Sequence, residues 1–247
     1  MSNRIAAKLL AEFIGTFALI FIGAGAAAVV GGAGLAGVAA IAFAHGLTVM
    51  AFAFAYGPVS GGHFNPSVTT AVLAAGAMRA GEAAGYIVSQ LVGGLLGALL
   101  LEAVLGGADT GLGTPMLAHN LALGATTLTV TPWAGYVIEA VLGFFLSTVV
   151  LSTAAAGRAG DLAPLAIGVT LVLNIIMGGP LTGAAFNPAR ALGPMVATGN
   201  FSDAWLYLTA PIVGAIVAAI LHTGLARLAQ ERMATAGPSA AARTPAE

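Results

Sequence analysis

The sequence predicts an all-α membrane protein, with six transmembrane helices and two re-entrant half-helices arranged as an inverted internal repeat. Three observations predict it. The chain of 247 residues is 59% hydrophobic and only 7% charged, against about 25% charged in a soluble domain. Six stretches are long enough, or nearly so, to cross about 30 Å of hydrocarbon as helix. The two halves of the chain also carry the same segment. Too few charges are present to cover a water-facing surface, so the bilayer is the solvent this composition fits. A net charge of −1 offers no basic face for nucleic acid. With no cysteine, disulfides, thiol catalysis and thiolate metal sites are excluded.

The spans are expected at 8–30, 36–57, 84–106, 134–156, 162–178 and 204–226. The first follows Arg4 and Lys8 and runs well past the length of a signal-peptide core, so it reads as a span and not a cleaved leader. The third carries Gly93 and Gly97, a spacing that lets helix backbones approach closely in lipid. The fifth is the shortest. Two further apolar stretches, 66–78 and 188–198, are too short to span, and each begins with Asn-Pro. Asparagine suits a helix cap and proline the first helical position, so these read as half-helices starting inside the protein. From 229 onward the chain turns polar and Pro/Ala-rich and is expected to be a disordered cytoplasmic tail. The domain organisation expected is thus one membrane domain over 1–228, with repeat one at about 8–106 and repeat two at about 134–226.

Orientation follows from eight basic residues, of which all but Arg190 fall on the side shared by both termini and the loops after spans two and four. By the positive-inside rule that side is the cytoplasm, and the cell membrane is the expected location. Arg190 sits alone between spans five and six and needs its own explanation.

The repeat carries the strongest signal. Residues 45–69 align with 167–191 at a constant offset of 122, with eight identities in 25 ungapped positions. Gly57-Pro58 meets Gly179-Pro180, and Phe64-Asn65-Pro66 meets Phe186-Asn187-Pro188. Each half holds three spans, an odd number, so the second half enters from the opposite face and the halves are related by an axis in the membrane plane. The two Asn-Pro tips then meet near the midplane. Non-helical backbone survives at that depth only where it is buried or lines water, which argues for a central aqueous path.

GGHFNPSVT at 61–69 and GAAFNPARALGP at 183–194 resemble the two signature loops of the major intrinsic protein family, the aquaporins and glycerol facilitators. The resemblance covers about residues 8–226. It implies a passive channel for water and small neutral solutes in a lipid bilayer, with homotetramers and one pore per chain. The second motif is complete at Asn187, Pro188, Ala189 and Arg190; the first, Asn65, Pro66 and Ser67, has serine where alanine is usual.

Physically, two helix N-termini facing each other place positive dipole ends at the pore centre, and Asn65 and Asn187 add amide donors. A passing water presents its oxygen to both, which breaks a proton-relaying chain, while the field opposes cations. Both asparagines can also serve as caps. Arg190 must face water or pair, because a buried arginine costs about 2.5–3.5 kcal/mol on insertion scales. A snorkelling outer-surface arginine is the alternative. The resemblance makes Arg190 the selectivity-filter arginine, with His45, Ile175 and Ala184 as its partners. Strict water channels usually have an aromatic, a histidine and a small or polar residue at those partner positions. His/Ile/Ala/Arg is similar instead to tonoplast-type aquaporins, some of which also pass ammonia or urea. Glycerol facilitators usually carry aspartate after the arginine; here it is Ala191.

On spacing alone, His45 reads equally as filter or as a satisfied core residue. His63 is expected to line the inner vestibule or brace its loop. Glu12 and Glu139, charged residues inside spans one and four, suggest either a proton site or symmetric braces for the loop of each half, and the resemblance favours bracing. No cofactor or metal site is suggested. The competing classes are a glycerol-type facilitator, a secondary transporter built on an inverted repeat, a membrane enzyme and a junction protein. No nucleophile, metal spacing or carboxylate cluster supports an enzyme.

Overall fold

A computed structural model gives the fold for residues 2–31 and 34–235. Six helices are long and apolar enough to cross a membrane. They are α1 (Asn3–Val30), α2 (Gly34–Ser60), α4 (Ala80–Leu105), α5 (Pro132–Ala155), α6 (Ala163–Thr182) and α8 (Ala204–Thr235). Between them lie two short helices, α3 (Pro66–Ala74) and α7 (Pro188–Thr198). Mean hydropathy in the spans is 1.9–2.3. Many of their large apolar side chains point outward, including Val88, Val104, Leu173 and Ile220 at 60%, 64%, 61% and 63% exposed. Such a surface is stable against lipid tails and not against water.

Several expected boundaries shift, each for a local reason. α1 begins before residue 8. α6 continues past 178 through Pro180 to Thr182, and α2 passes Pro58 in the same way. Neighbouring spans in a membrane protein satisfy the backbone groups that proline frees. α3 stops at Ala74 and not 78, because Gly76 at φ 76° turns the chain out of the helix. α8 remains helical through Thr235, so 229–235 are not the disordered tail expected from composition. Those residues are rich in strong helix formers (Ala, Gln, Glu, Arg, Met), which propagate a helix already fixed by its membrane segment. Residues 236–247, the rest of that expected tail, lie outside the described residues. The loop before α5 also holds a small antiparallel hairpin, β1 (Leu121–Leu123) with β2 (Thr126–Leu128), an addition to the all-α reading.

Glycines bring the spans together. A Cβ added to Gly46 of α2 would lie 2.6 Å from Gly168 O of α6, and one added to Gly168 would lie 2.7 Å from Gly46 O. The two backbones therefore touch through equivalent residues of the two halves. Gly93 and Gly97 of α4 meet Phe13 O and Phe17 O of α1 at 2.5 and 2.8 Å by the same measure, which fits the close approach expected of that pair. Each half-helix packs on the third span of the other half: α3 on α8, and α7 on α4. The halves thus interlock. At the starts of α5 and α8, Trp133, Tyr136 and Trp205 form a ring cluster with centroids 5.4–6.3 Å apart. Aromatics of this kind favour the membrane–water interface.

Candidate functional site

The tips of α3 and α7 meet. Asn65 caps α3, its Oδ1 accepting the Ser67 N–H at 2.8 Å. Asn187 caps α7 through Ala189 N–H at 3.0 Å and Arg190 N–H at 3.2 Å. Each asparagine then donates its amide across the pseudo-axis: Asn65 Nδ2 to Phe186 O at 3.0 Å, and Asn187 Nδ2 to Phe64 O at 2.9 Å. Capping and cross-half contact therefore coexist in one side chain, and each amide keeps a second hydrogen. The two bonds clasp the half-helices tip to tip, as the inverted repeat requires.

The loops leading into these tips are strained, with Phe64, Ala184 and Phe186 at φ 48°, 43° and 31°. Such backbone persists only when its surroundings over-determine it. Two buried carboxylates do so. Glu12 accepts Ser60 Oγ at 2.7 Å and His63 N–H at 3.0 Å on Oε1, and Phe64 N–H at 2.7 Å on Oε2. Glu139 repeats the pattern with Thr182 Oγ1 at 2.6 Å, Ala185 N–H at 3.0 Å and Phe186 N–H at 2.5 Å. Neither glutamate lines the lumen.

Three contributors were not singled out by sequence. Tyr86 and Tyr207 donate their hydroxyls to Ser60 O and Thr182 O at 2.7 and 2.8 Å, fixing the last residue of α2 and of α6. Their offset is 121, so extending the repeat with a one-residue shift would have paired them. Gln90 donates to Glu12 Oε2 at 2.7 Å and Thr69 Oγ1 at 2.9 Å. Its counterpart at offset 121 is Pro211, so the first half alone has this brace.

Between the halves runs a narrow lumen of about 20 Å³, lined by His45, His63, Asn65, Val68, Asn187 and Arg190 among others. A water needs at least about 10–15 Å³ of such space, so the lumen is wide enough for about one water. Above it opens a cavity of about 380 Å³ lined by Ile175, Gly113 and Arg190. Arg190 belongs to both and stands at the junction. Its Nη1 donates to Gly113 O at 2.8 Å, while its Nε is buried without a partner among the described residues. His45 Nδ1 bonds Ile41 O at 2.9 Å, and its buried Nε2 has no partner there either. A carbonyl only accepts, so Nδ1 carries the proton and the neutral ring offers Nε2 as an acceptor. Ala184 also lines the lumen. Of the four residues that the resemblance groups as a filter, His45, Ala184 and Arg190 line the constriction, and Ile175 lines the cavity at its mouth.

His63 also lines the lumen. Thr69 Oγ1 donates to Asn65 O at 3.1 Å, so it accepts from His63 Nδ1, also at 3.1 Å. His63 thereby both lines the lumen and braces its loop.

Residues 1–222 match the family model described as major intrinsic protein. The chain belongs to that family. It is 38% identical to aquaporin NIP1-2 of Oryza sativa subsp. japonica over 85% of this chain and 69% of that one. It is 37% identical to glycerol uptake facilitator protein-like 6 of Lactiplantibacillus plantarum, over 86% of this chain and 94% of that one. The fold is that of the aquaglyceroporin from Plasmodium falciparum, with a TM-score of 0.78 at 22% identity, over 92% of this chain and 99% of that one. This major intrinsic protein is therefore a multi-pass membrane channel and not an enzyme.

Proposed function

We propose that the lumen conducts water passively, and ammonia and urea as further solutes, while excluding ions and protons. The observation that carries this reading is the pair of unpartnered buried polar atoms at the constriction, His45 Nε2 and Arg190 Nε. Burying such groups unsatisfied costs about 1–3 kcal/mol each, more when charged, so a passing polar molecule is their natural partner. Arg190 offers donors and His45 an acceptor, a set that matches water, ammonia or an amide.

The fixed guanidinium opposes cations. The second amide hydrogens of Asn65 and Asn187, with the dipole ends of α3 and α7, orient a water by its oxygen and interrupt proton transfer. Ser67, small and hydrogen-bonded to Asn65, leaves this arrangement intact. Ile175 and Ala184 supply an apolar and a small wall, which admits solutes larger than water. Glu12 and Glu139, with every oxygen engaged, serve as braces for the loops and not as a proton site, which argues against a coupled transporter.

One relative is named a glycerol uptake facilitator, so glycerol passage is the second reading. Ala191 in place of the aspartate usual after the filter arginine argues for water over glycerol. We further propose a homotetramer in the cell membrane, with both termini cytoplasmic.

Stopped-flow light scattering on proteoliposomes tests the reading. Fast osmotic shrinkage with slow glycerol entry supports it; glycerol entry as fast as that of water overturns it. Arg190→Val removes the charge and the Gly113 tether, and is expected to raise urea and glycerol entry relative to water. Unchanged ratios would remove Arg190 from the filter.

A further inference from the structure

Two cavities away from the lumen remain unassigned. One, of about 230 Å³, lies between the end of α5 and α8 and is lined by Phe144, Thr148, Arg158, His222 and Leu225 among others. The second, of about 300 Å³, lies on the other flank of the same α8 segment and is lined by Arg227 and Gln230. They share His222 and Ala226. Among the described residues, no carboxylate lines either. By contrast, Lys8 on the same side of the molecule is neutralised by Glu82 at 2.6 Å.

We infer that this paired groove binds the phosphate headgroup of an anionic phospholipid from the leaflet on the side of the chain termini. Two features point to that occupant. The first is charge: Arg158 lines one cavity and Arg227 the other, with His222 common to both. The second is continuity with lipid: Leu221 and Leu225 are 50% and 67% exposed, and Ile220 and Leu228 beside them 63% and 58%. That apolar surface gives acyl chains a path that begins at the polar groove. A soluble phosphate would use the charges but not the apolar wall. Basic pockets between helices at this level of a bilayer are suited to anionic headgroups.

The test uses the full chain purified in detergent, with lipid retention read by native mass spectrometry. Dioleoylphosphatidylglycerol is expected to be retained at least tenfold better than dioleoylphosphatidylcholine. Each arginine near a charged membrane surface is worth roughly fivefold in binding. The double variant R158Q/R227Q is therefore expected to lose most of that preference, whereas R79Q, on the same side but outside both cavities, retains it. Osmotic water permeability of R158Q/R227Q should match the unmodified channel, which shows that the variant is folded. Equal retention of the two lipids overturns the inference, as does a preference undiminished in R158Q/R227Q. A third arm adds glycerol 3-phosphate. If it displaces the lipid completely at equimolar concentration, the acyl chains contribute nothing and the site is one for soluble phosphates, which also overturns the proposal.

Discussion

Removing the Glu139 carboxylate tests how the strained second loop is held. In Glu139→Ala, three donors lose their acceptor: Thr182 Oγ1, Ala185 N–H and Phe186 N–H. Thr182 has an alternative, because Gly178 O lies 3.3 Å from its hydroxyl. The two amides have none among the described residues, and both residues are buried. At about 1–3 kcal/mol for each orphaned buried donor, the cost is roughly 2–6 kcal/mol. Relief from burying a carboxylate works in the opposite direction. Loop strain of about 1–3 kcal/mol per residue at Ala184 and Phe186 then has less to oppose it. Glu139→Gln keeps one acceptor oxygen and orphans one amide, so its cost falls to about half. The expected order of thermal stability in detergent is wild type, then Gln, then Ala. Water flux should follow the same order, because Phe186 O holds Asn65 at 3.0 Å and moves with the loop. An alanine variant that melts at or above the wild-type temperature with full water flux would refute this account of the brace.

Other perturbations test separate contacts. Gly168→Ala places a methyl 2.6 Å from Met50 Cβ and 2.7 Å from Gly46 O. Forcing α2 and α6 apart is expected to cost about 1–3 kcal/mol, visible as a lower melting temperature. Ser67→Ala removes a hydroxyl that donates to Asn65 Oδ1 at 2.8 Å, but leaves the Ser67 N–H cap at the same distance. A loss of no more than about 1.5 kcal/mol is expected, with water flux in proteoliposomes near wild type.

Much of this architecture was legible in the sequence because it rests on local chemistry repeated twice. Asn-Pro marks a helix start wherever it occurs, and finding it at a fixed offset of 122 located both half-helices. Span ends were less legible. The expected fifth span stopped before Gly179-Pro180, yet α6 runs on to Thr182. Whether a proline ends a helix depends on what its neighbours supply, and that is tertiary information. The π-helical turns at Leu19–Ala24 and Leu151–Ala155 have no pattern that hydropathy detects. At the site, Arg190 stood out because it breaks the repeat against Val68 and is a cation in an apolar setting. Its tether to Gly113, 77 residues away in a loop, left no local trace. Tyr86 and Tyr207 sat in apolar spans where an aromatic residue passes as core, and only their carbonyl partners reveal their role.

The central claim, that the clasped tips of α3 and α7 border the conducting path, has a direct test, because the chain contains no cysteine. Val68→Cys and Ala184→Cys each place one thiol at a residue lining the lumen, and Val88→Cys places one on the outer surface of α4, where Val88 is 60% exposed. Mercuric ion should reduce osmotic water flux to near the bare-lipid level in the two lumen variants and leave the surface variant unaffected. Undiminished flux through lumen variants whose thiols are shown by mass to carry mercury would mean that water crosses elsewhere.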